Sequence, residues 1–338
     1  MSRDMDLHKK YKILVTGAAG FIGFHVSKTL LEQGYSVIGV DNLNSYYSIY
    51  LKKLRLKQLL LFENFNFYQT DIAHIKEMKT LWSQEQPLYV VHLAAQAGVR
   101  YSLKDPYPYV QSNLQGFTVV LECCRDQKNF QHLIYASTSS VYGANKSLPF
   151  KEEQSVDYPL SFYAATKRAN ELMAQSYYHL YHIPITGLRL FTVYGPWGRP
   201  DMSLFKFTKA ILNGETIDVY NHGKMSRDYT YIDDIIQGIL LALEHTPCLK
   251  KDHHPIYNIG NYQKQSLLSF IETLEKALGK KAKKKFLPLQ AGDIIETYGD
   301  IQKASKELGY HPKTHIQEGI QKFVEWYKFY VVSEKKDI

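Results

Sequence analysis

Only three cysteines occur in 338 residues. Cys123, Cys124 and Cys248 match no zinc- or iron-ligand spacing, so no metal site is expected. Cys123 and Cys124 adjoin on an expected helix, which fits packing in a reducing compartment rather than a disulfide framework. Long hydrophobic runs are missing as well. No stretch nears the ~20 apolar residues of a membrane span, and the opening MSRDMDLHKKYKILVTG holds no apolar core of signal-peptide length. The expectation is a cytoplasmic protein with no membrane attachment. Zinc-finger spacings and RNA-binding motifs are lacking, so the net charge of +8 is not assigned to nucleic acid. The lysine run at 280–285 is read as a solvated face. What remains, 45% hydrophobic and 22% charged residues, is ordinary for a soluble globular chain.

Short apolar runs alternate with helical patterns through the first half. Strands are expected at 12–16, 36–41, 66–70, 89–95, 132–138 and 185–190, with helices at 20–34, 110–127 and 162–181. Near-continuous apolar strands separated by helices indicate an α/β fold, a Rossmann-like doubly wound parallel sheet covered on both faces. After about residue 190 the rhythm changes. GPWGRPD (195–201) is followed by helices at 203–213, 232–244, 266–278 and 316–331 mixed with shorter strands. The expected organisation is a Rossmann-like domain over 11–190, with part of 229–261 returning to it. A smaller substrate domain covers 191–332, and 1–10 and 333–338 are flexible termini.

Two patterns carry chemistry. Thr16-Gly17-Ala18-Ala19-Gly20-Phe21-Ile22-Gly23 leaves the first strand and opens the first helix. Glycines there allow a tight turn and close approach of backbone to a pyrophosphate. Asp41 ends the second strand, followed by Asn42; a carboxylate there accepts from ribose hydroxyls and repels a 2′-phosphate, which favours NAD over NADP. The second pattern is Tyr163-x-x-x-Lys167, two residues on one helix face. A lysine ammonium near a phenol favours the phenolate, which then serves as a base. YASTSSVYG (135–143) offers four hydroxyls and a competing tyrosine. Tyr142 has no such partner, because Lys146 lies beyond Gly143. Tyr142 is therefore expected as a wall of the site and Tyr163 as the base.

In combination, DNLNSYYSIYLKKLRL (41–56), HLAAQAGVRYSL (92–103), YASTSSVYG, SFYAATKRANELMA (161–174), TGLRLFTVYGPWGRPDM (186–202) and RDYTYIDDI (227–235) resemble the nucleotide-sugar epimerases of the extended short-chain dehydrogenase/reductase superfamily. The G-x-x-G-x-x-G spacing belongs to that group. More narrowly the chain resembles the UDP-glucuronate 4-epimerases. The resemblance implies that Asp71-Ile72 meets the adenine and that Ala94-Ala95, after Leu93, lets the cofactor approach. It implies Tyr163, Lys167 and Thr138 as catalytic residues on a sugar 4-hydroxyl, a 4-keto intermediate, and NAD kept bound and regenerated. It places Arg227 at the substrate diphosphate, Arg100 near phosphates or sugar, and Asp293 on the nucleotide side. It further implies a homodimer through the helices at 110–127 and 162–181, and a product used for surface polysaccharide.

Ser139 and Ser140 separate relatives. A 4,6-dehydratase carries an Asp-Glu pair after the threonine, and a UDP-glucuronate decarboxylase a glutamate at the place of Ser140. A 4-keto glucuronate is a β-keto acid that loses CO₂ readily, so its carboxylate has to be held out of alignment. Thr138, Ser139, Ser140 and Thr192, with Arg199 nearby, are the expected neutral and charged donors; a strand-end hydrogen-bonding cap is the alternative for the serines. Thr192 stands where UDP-galactose 4-epimerases have asparagine. Gln290-Ala291 departs from the usual approach to the Gly-Asp element. The segment 44–61 is expected as a helix with one buried face, its lysines either solvated or lying over the entrance. The rival readings are a UDP-glucose or UDP-N-acetylhexosamine 4-epimerase, and a non-catalytic nucleotide-sugar or NAD(H) sensor.

Overall fold

Runs of four to seven residues that are apolar on both faces can only be buried inside a sheet flanked by helices on each side. In the computed structural model, which describes residues 11–249, 252–290 and 292–336, they do this. Strands β1 (Lys12–Thr16), β2 (Ser36–Asp41), β3 (Phe65–Gln69), β4 (Tyr89–His92), β5 (His132–Thr138) and β6 (Ile185–Leu190) fall on the expected runs, β3 one residue earlier and β4 shorter than expected. Every residue of β4 and β6 is buried. All pairings are parallel, in the order β6-β5-β4-β1-β2-β3. The seventh strand, Ile256–Ile259, comes from far along the chain and pairs with β6 at the edge.

Helix α1 (Phe21–Glu32) follows β1, α2 (Ile49–Leu59) follows β2, and α3 (Ile75–Glu85) follows β3. The last of these lies where no helix was expected. The stretch 110–127 is not one regular helix. A π-helical segment, Val110–Gly116, precedes α4 (Phe117–Asp126). Cys123 and Cys124 are buried in α4 and Cys248 is exposed. Helix α5 (Phe162–Tyr181) begins at Ser161, whose hydroxyl accepts from Ala164 N at 3.1 Å, an N-cap. β4 stops at His92, short of the expected 95. The reason is Thr16, whose Oγ1 accepts from the amides of Leu93 at 3.2 Å and Ala94 at 3.1 Å and turns the chain off the sheet.

After β6 the chain builds a second, smaller layer. It contains β7 (Thr192–Tyr194), α6 (Ser203–Asn213), β8 (Thr216–Val219), β9 (Ser226–Tyr231) and α7 (Ile232–Glu244). Then follow β10 (Ile256–Ile259, the sheet edge), β11 (Lys264–Ser266), α8 (Leu267–Leu278), β12 (Lys283–Phe286), α9 (Gln302–Leu308) and α10 (Ile316–Lys336). β9 lies between β7 and β11, and β12 pairs with β8. Aromatic rings lock α10 down: Phe205 meets Tyr327 at 5.1 Å, and Trp326 meets Trp197 of the GPWG loop at 5.4 Å. The helix continues through Lys336, into the stretch expected as a flexible terminus; residues 1–10, 337 and 338 lie outside the described residues. No helix among the described residues is long and apolar enough to cross a membrane.

Candidate active site

The carboxyl ends of the strands open onto one cavity of about 1250 Å³, between the sheet and the second layer. A parallel sheet places its ligand crevice at those ends. Gly17, Gly20, Phe21, Ile22 and Gly23 line it, as do Asp41, Asn42, Asp71, Ile72, Ala94 and Ala95. The same cavity takes in Arg100, Thr138, Ser139, Ser140, Tyr163, Lys167, Thr192, Arg199, Arg227 and Asp293. The structure thus brings every expected site residue to one place. Tyr142 is the exception to the expected layout. It is not a wall: its ring is 1% exposed, below the site, and its hydroxyl donates to Asn258 Oδ1 at 2.7 Å and accepts from Arg189 at 3.0 Å.

At the glycine loop, backbone meets backbone. A Cβ on Gly17, whose φ is +73°, would stand 2.9 Å from Ala94 N; one on Gly23 would stand 2.1 Å from Gly17 O. Helix α1 starts at Gly20 with no side-chain cap and no acidic residue in its first turn. Its amide donors therefore face the cavity, ready for an anionic diphosphate. Both oxygens of Asp41 are oriented, Oδ2 by Ala19 N at 3.1 Å and Oδ1 by Leu43 N at 2.8 Å. Burial pushes this carboxyl up, and nearby Lys52 and the two amides oppose the shift. Asp71 accepts from Ala73 N at 2.9 Å and from Asn42 Nδ2 at 3.0 Å, so the two acidic positions are tied together through Asn42. These residues fit a dinucleotide lying across the loop.

Strand β5 ends at Thr138, whose Oγ1 accepts from Ser140 N at 3.2 Å and donates to Ser140 Oγ at 3.3 Å. The hydroxyl thus caps the short turn Ser139–Tyr142 and faces the cavity too. Tyr163 and Lys167 approach from α5. Burial pushes the Tyr163 phenol up, whereas the lysine pairing alone would lower it; a hydrogen bond with Thr138 and the charge of Arg199 act against burial. Burial also brings the Lys167 ammonium down to about 8, with Glu171 opposing. Both ends of the pair are thus held toward their neutral forms in the protein alone, and a positive charge bound beside the phenol would shift it toward phenolate.

Several supporting residues carried no recognisable signal in the sequence. Asn113, in the π-helical segment, accepts from Gln96 N at 2.9 Å and donates to Gln96 O at 3.1 Å and Thr166 Oγ1 at 3.0 Å. It joins the loop after β4 to α5 next to Lys167. Glu171, one turn past Lys167, accepts from Ser137 Oγ at 2.7 Å and pairs with the buried Arg189 at 2.9 Å. Arg100 forms an ion pair with Asp293 at 3.0 Å across the cavity mouth. Arg227 Nη1 donates to Ser226 O at 2.9 Å and Ile295 O at 3.0 Å. The expected alternatives for 44–61 also resolve. Lys52 and Arg55 are only 4% and 0% exposed, alongside buried Leu51, Leu56 and Leu59, while Leu60 and Leu61, past the end of the helix, are exposed. The helix therefore turns two of its cations inward together with three of its four leucines. Tyr46 donates to Asp201 Oδ2 at 3.1 Å, and burial, then Asp201, push its phenol up to about 12, so it stays a donor at neutral pH.

Known proteins resemble this chain in sequence and fold. The chain is 51% identical over 332 residues to Protein CapI of Staphylococcus aureus, covering 94% of this chain and 99% of that one. It is 44% identical over 331 residues to a probable UDP-glucuronate 4-epimerase of Rhizobium meliloti, with 94% and 96% covered. The UDP-glucuronic acid 4-epimerase of Bacillus cereus, solved with UDP-glucuronic acid and NAD, superposes with a TM-score of 0.88 at 39% identity over 94% of this chain and 99% of that chain. The family model described as NAD dependent epimerase/dehydratase matches residues 13–260, a span that runs from β1 through the edge strand β10 and takes in both the glycine loop and the Tyr163–Lys167 pair. The chain belongs to the NAD dependent epimerase/dehydratase family.

Proposed function

We propose that this protein is an NAD-dependent UDP-glucuronate 4-epimerase, interconverting UDP-glucuronate and UDP-galacturonate. One observation carries the reading. Thr138, Ser139 and Ser140 share the cavity with Tyr163 and Lys167, and positions 139 and 140 bring no acid or base to the sugar. Such a wall can bind a carboxylate and leave water elimination uncatalysed. The relatives named above support the choice of a uronate.

When bound, NAD supplies a hydride acceptor that returns the hydride to the same carbon, so no net redox change results. Tyr163 Oη takes the proton of the sugar 4-hydroxyl. Thr138 Oγ1 holds the same oxygen, and Lys167 stabilises the phenolate electrostatically. The 4-keto sugar then turns about its diphosphate link and presents its other face, after which Tyr163 returns the proton. Arg227 and Arg100 hold the diphosphate during the turn, with Asp293 on the nucleotide side. Thr192, Ser139 and Ser140 donate to or orient the carboxylate, with Arg199 beside them. Asp41, Asn42, Asp71 and Ile72 hold the adenosine half of NAD, and Gly17 to Gly23 its diphosphate. The same reading makes the enzyme a cytoplasmic homodimer, paired through α4 and α5, where Leu172 and Leu180 stand exposed, and supplying surface polysaccharide synthesis.

Product analysis after incubation with UDP-glucuronate and no added NAD tests the proposal. UDP-galacturonate without UDP-pentose is the expected result. An unchanged substrate, or a pentose as the main product, overturns it.

A further inference from the structure

The geometry points to Tyr46 and Asp201 as positioning residues that set the chain's specificity: they hold Arg199 in place over the sugar, so that a bound uronate is epimerised and not decarboxylated. This rests on the function proposed above.

The segment that carries Tyr46 is built to be stiff. In DNLNSYYS, side-chain oxygens accept from backbone amides two residues on: Asp41 from Leu43, Asn42 from Asn44 and Asn44 from Tyr46, at 2.8, 3.1 and 3.3 Å. Consecutive turns of this kind fix a loop without a hydrophobic core of its own. Buried Lys52 then clamps Asn44, donating to its backbone O at 2.8 Å and Oδ1 at 2.9 Å.

This stiff loop and the helix α2 that follows it grip the chain on both sides of position 199. Arg55, with no exposed surface, donates to Ala19 O at 2.9 Å, Trp197 O at 2.5 Å and Gly198 O at 3.4 Å. It thereby couples the glycine loop to the residues just before Arg199. Tyr46 acts on the other side through Asp201. That carboxylate receives Arg199 Nε at 3.0 Å and Nη2 at 2.5 Å as well as the Tyr46 hydroxyl. A two-point ion pair fixes the plane of a guanidinium, not only its position. Position 98 makes room for the assembly: a Cβ there would stand 2.7 Å from Tyr46 Oη and 3.7 Å from Arg199 Nη2.

The chemistry gives this brace a purpose. In a 4-keto uronate the C5–C6 bond can break, its electron pair entering a C4–C5 enolate as CO₂ leaves and solvent returns a proton to C5. That requires no further oxidant or reductant, only alignment of the bond with the C4 carbonyl π system. A guanidinium of fixed plane holds the carboxylate at one torsion. One that swings follows the carboxylate instead.

Tyr46→Phe and Asp201→Asn test the brace, with Tyr101→Phe as control. Tyr101 packs on Tyr46 at 5.0 Å, but its hydroxyl serves Asp105. UDP-glucuronate is turned over and CO₂ and C4 epimer are counted; calorimetry compares UDP-glucuronate with UDP-glucose binding. Loss of a hydrogen bond to a charged group is expected to raise CO₂ released per epimer about tenfold in both variants, to narrow the uronate preference, and to leave the control unchanged. A purely structural role would slow both outcomes together at constant ratio. Wild-type protein that neither converts nor prefers UDP-glucuronate overturns the functional reading and the brace with it. Wild-type protein that does, with variants matching its ratio and preference, overturns the brace alone.

Discussion

In the proposed function two side chains on α5, Tyr163 and Lys167, set the chemistry, and each makes a separate prediction. Tyr163→Phe removes the proton acceptor and little else, because the ring keeps its edge contact with Tyr109 at 6.0 Å. Epimerisation is expected to fall by about 10²–10⁴-fold, with bound NAD retained, as measured by product formation and by nucleotide content. Lys167 carries a stability cost. Its ammonium is lost near about 8 in the fold, against 10.5 for an ordinary lysine. Below about 8 the group is charged whether the chain is folded or not, and the burial cost is complete. As pH rises from about 8 to 10.5 the unfolded chain binds more protons, so this residue's cost is relieved. Lys167→Met should therefore stabilise the nucleotide-free protein by on the order of 1–3 kcal/mol at pH 7 while abolishing turnover. Thermal melts at pH 7 and pH 10 check both sign and trend, the gain shrinking at the higher pH.

Secondary-structure elements meet through a few buried polar groups, and these were the least legible part of the sequence. The glycine loop and Tyr163-x-x-x-Lys167 could be read because each is contiguous or one helical turn apart. Tyr46 with Asp201 and Arg55 with Trp197 span separations of 155 and 142 residues, and no local pattern announces such pairs. The lysine run at 280–285 is largely solvated as expected, Lys281 keeping 85% of its side chain exposed, but its link to Glu275 of α8 was not legible: Lys281 and Lys284 both reach that carboxylate, at 3.0 and 2.5 Å. Helix α3 escaped because its pattern lies between two strands of ordinary composition. Glu171 joins α5 to β5 and β6, and breaking its pairing with Arg189 is expected to cost about 3–5 kcal/mol, since a buried guanidinium loses its partner. Urea unfolding of Glu171→Gln measures this. Burial pushes the Glu171 carboxyl up, but Arg189, with Ser137 and Arg168, outweighs this and holds it below the ordinary value. The stabilisation is thus present above the usual carboxylate range and lost as pH falls through the folded value. Gly23→Ala acts between α1 and β1. With 2.1 Å to Gly17 O the helix has to shift, and purified protein should carry little or no NAD by chromatography of the released nucleotide.

At the scale of the whole molecule, the cavity is shared between layers, and Arg100 with Asp293 spans its mouth. The alternation of strands and helices made the parallel sheet legible. The second layer was legible only as a change of rhythm, because its strands are three to six residues long. If α4 and α5 pair as proposed, light scattering should give twice the 39.2 kDa chain mass, and charged replacements at Leu172 and Leu180 should return it to one.

The edge strand β10 has a consequence for biosynthesis. β6 acquires its outer neighbour only when residues 256–259 return to it. A nascent chain emerging from the ribosome therefore carries an unpaired, fully buried-type edge through the synthesis of the entire stretch between them. Such an edge is a template for another chain. A fragment cut after β6 would keep the glycine loop and the tyrosine–lysine pair, yet would be expected in the insoluble fraction rather than as an autonomous nucleotide binder.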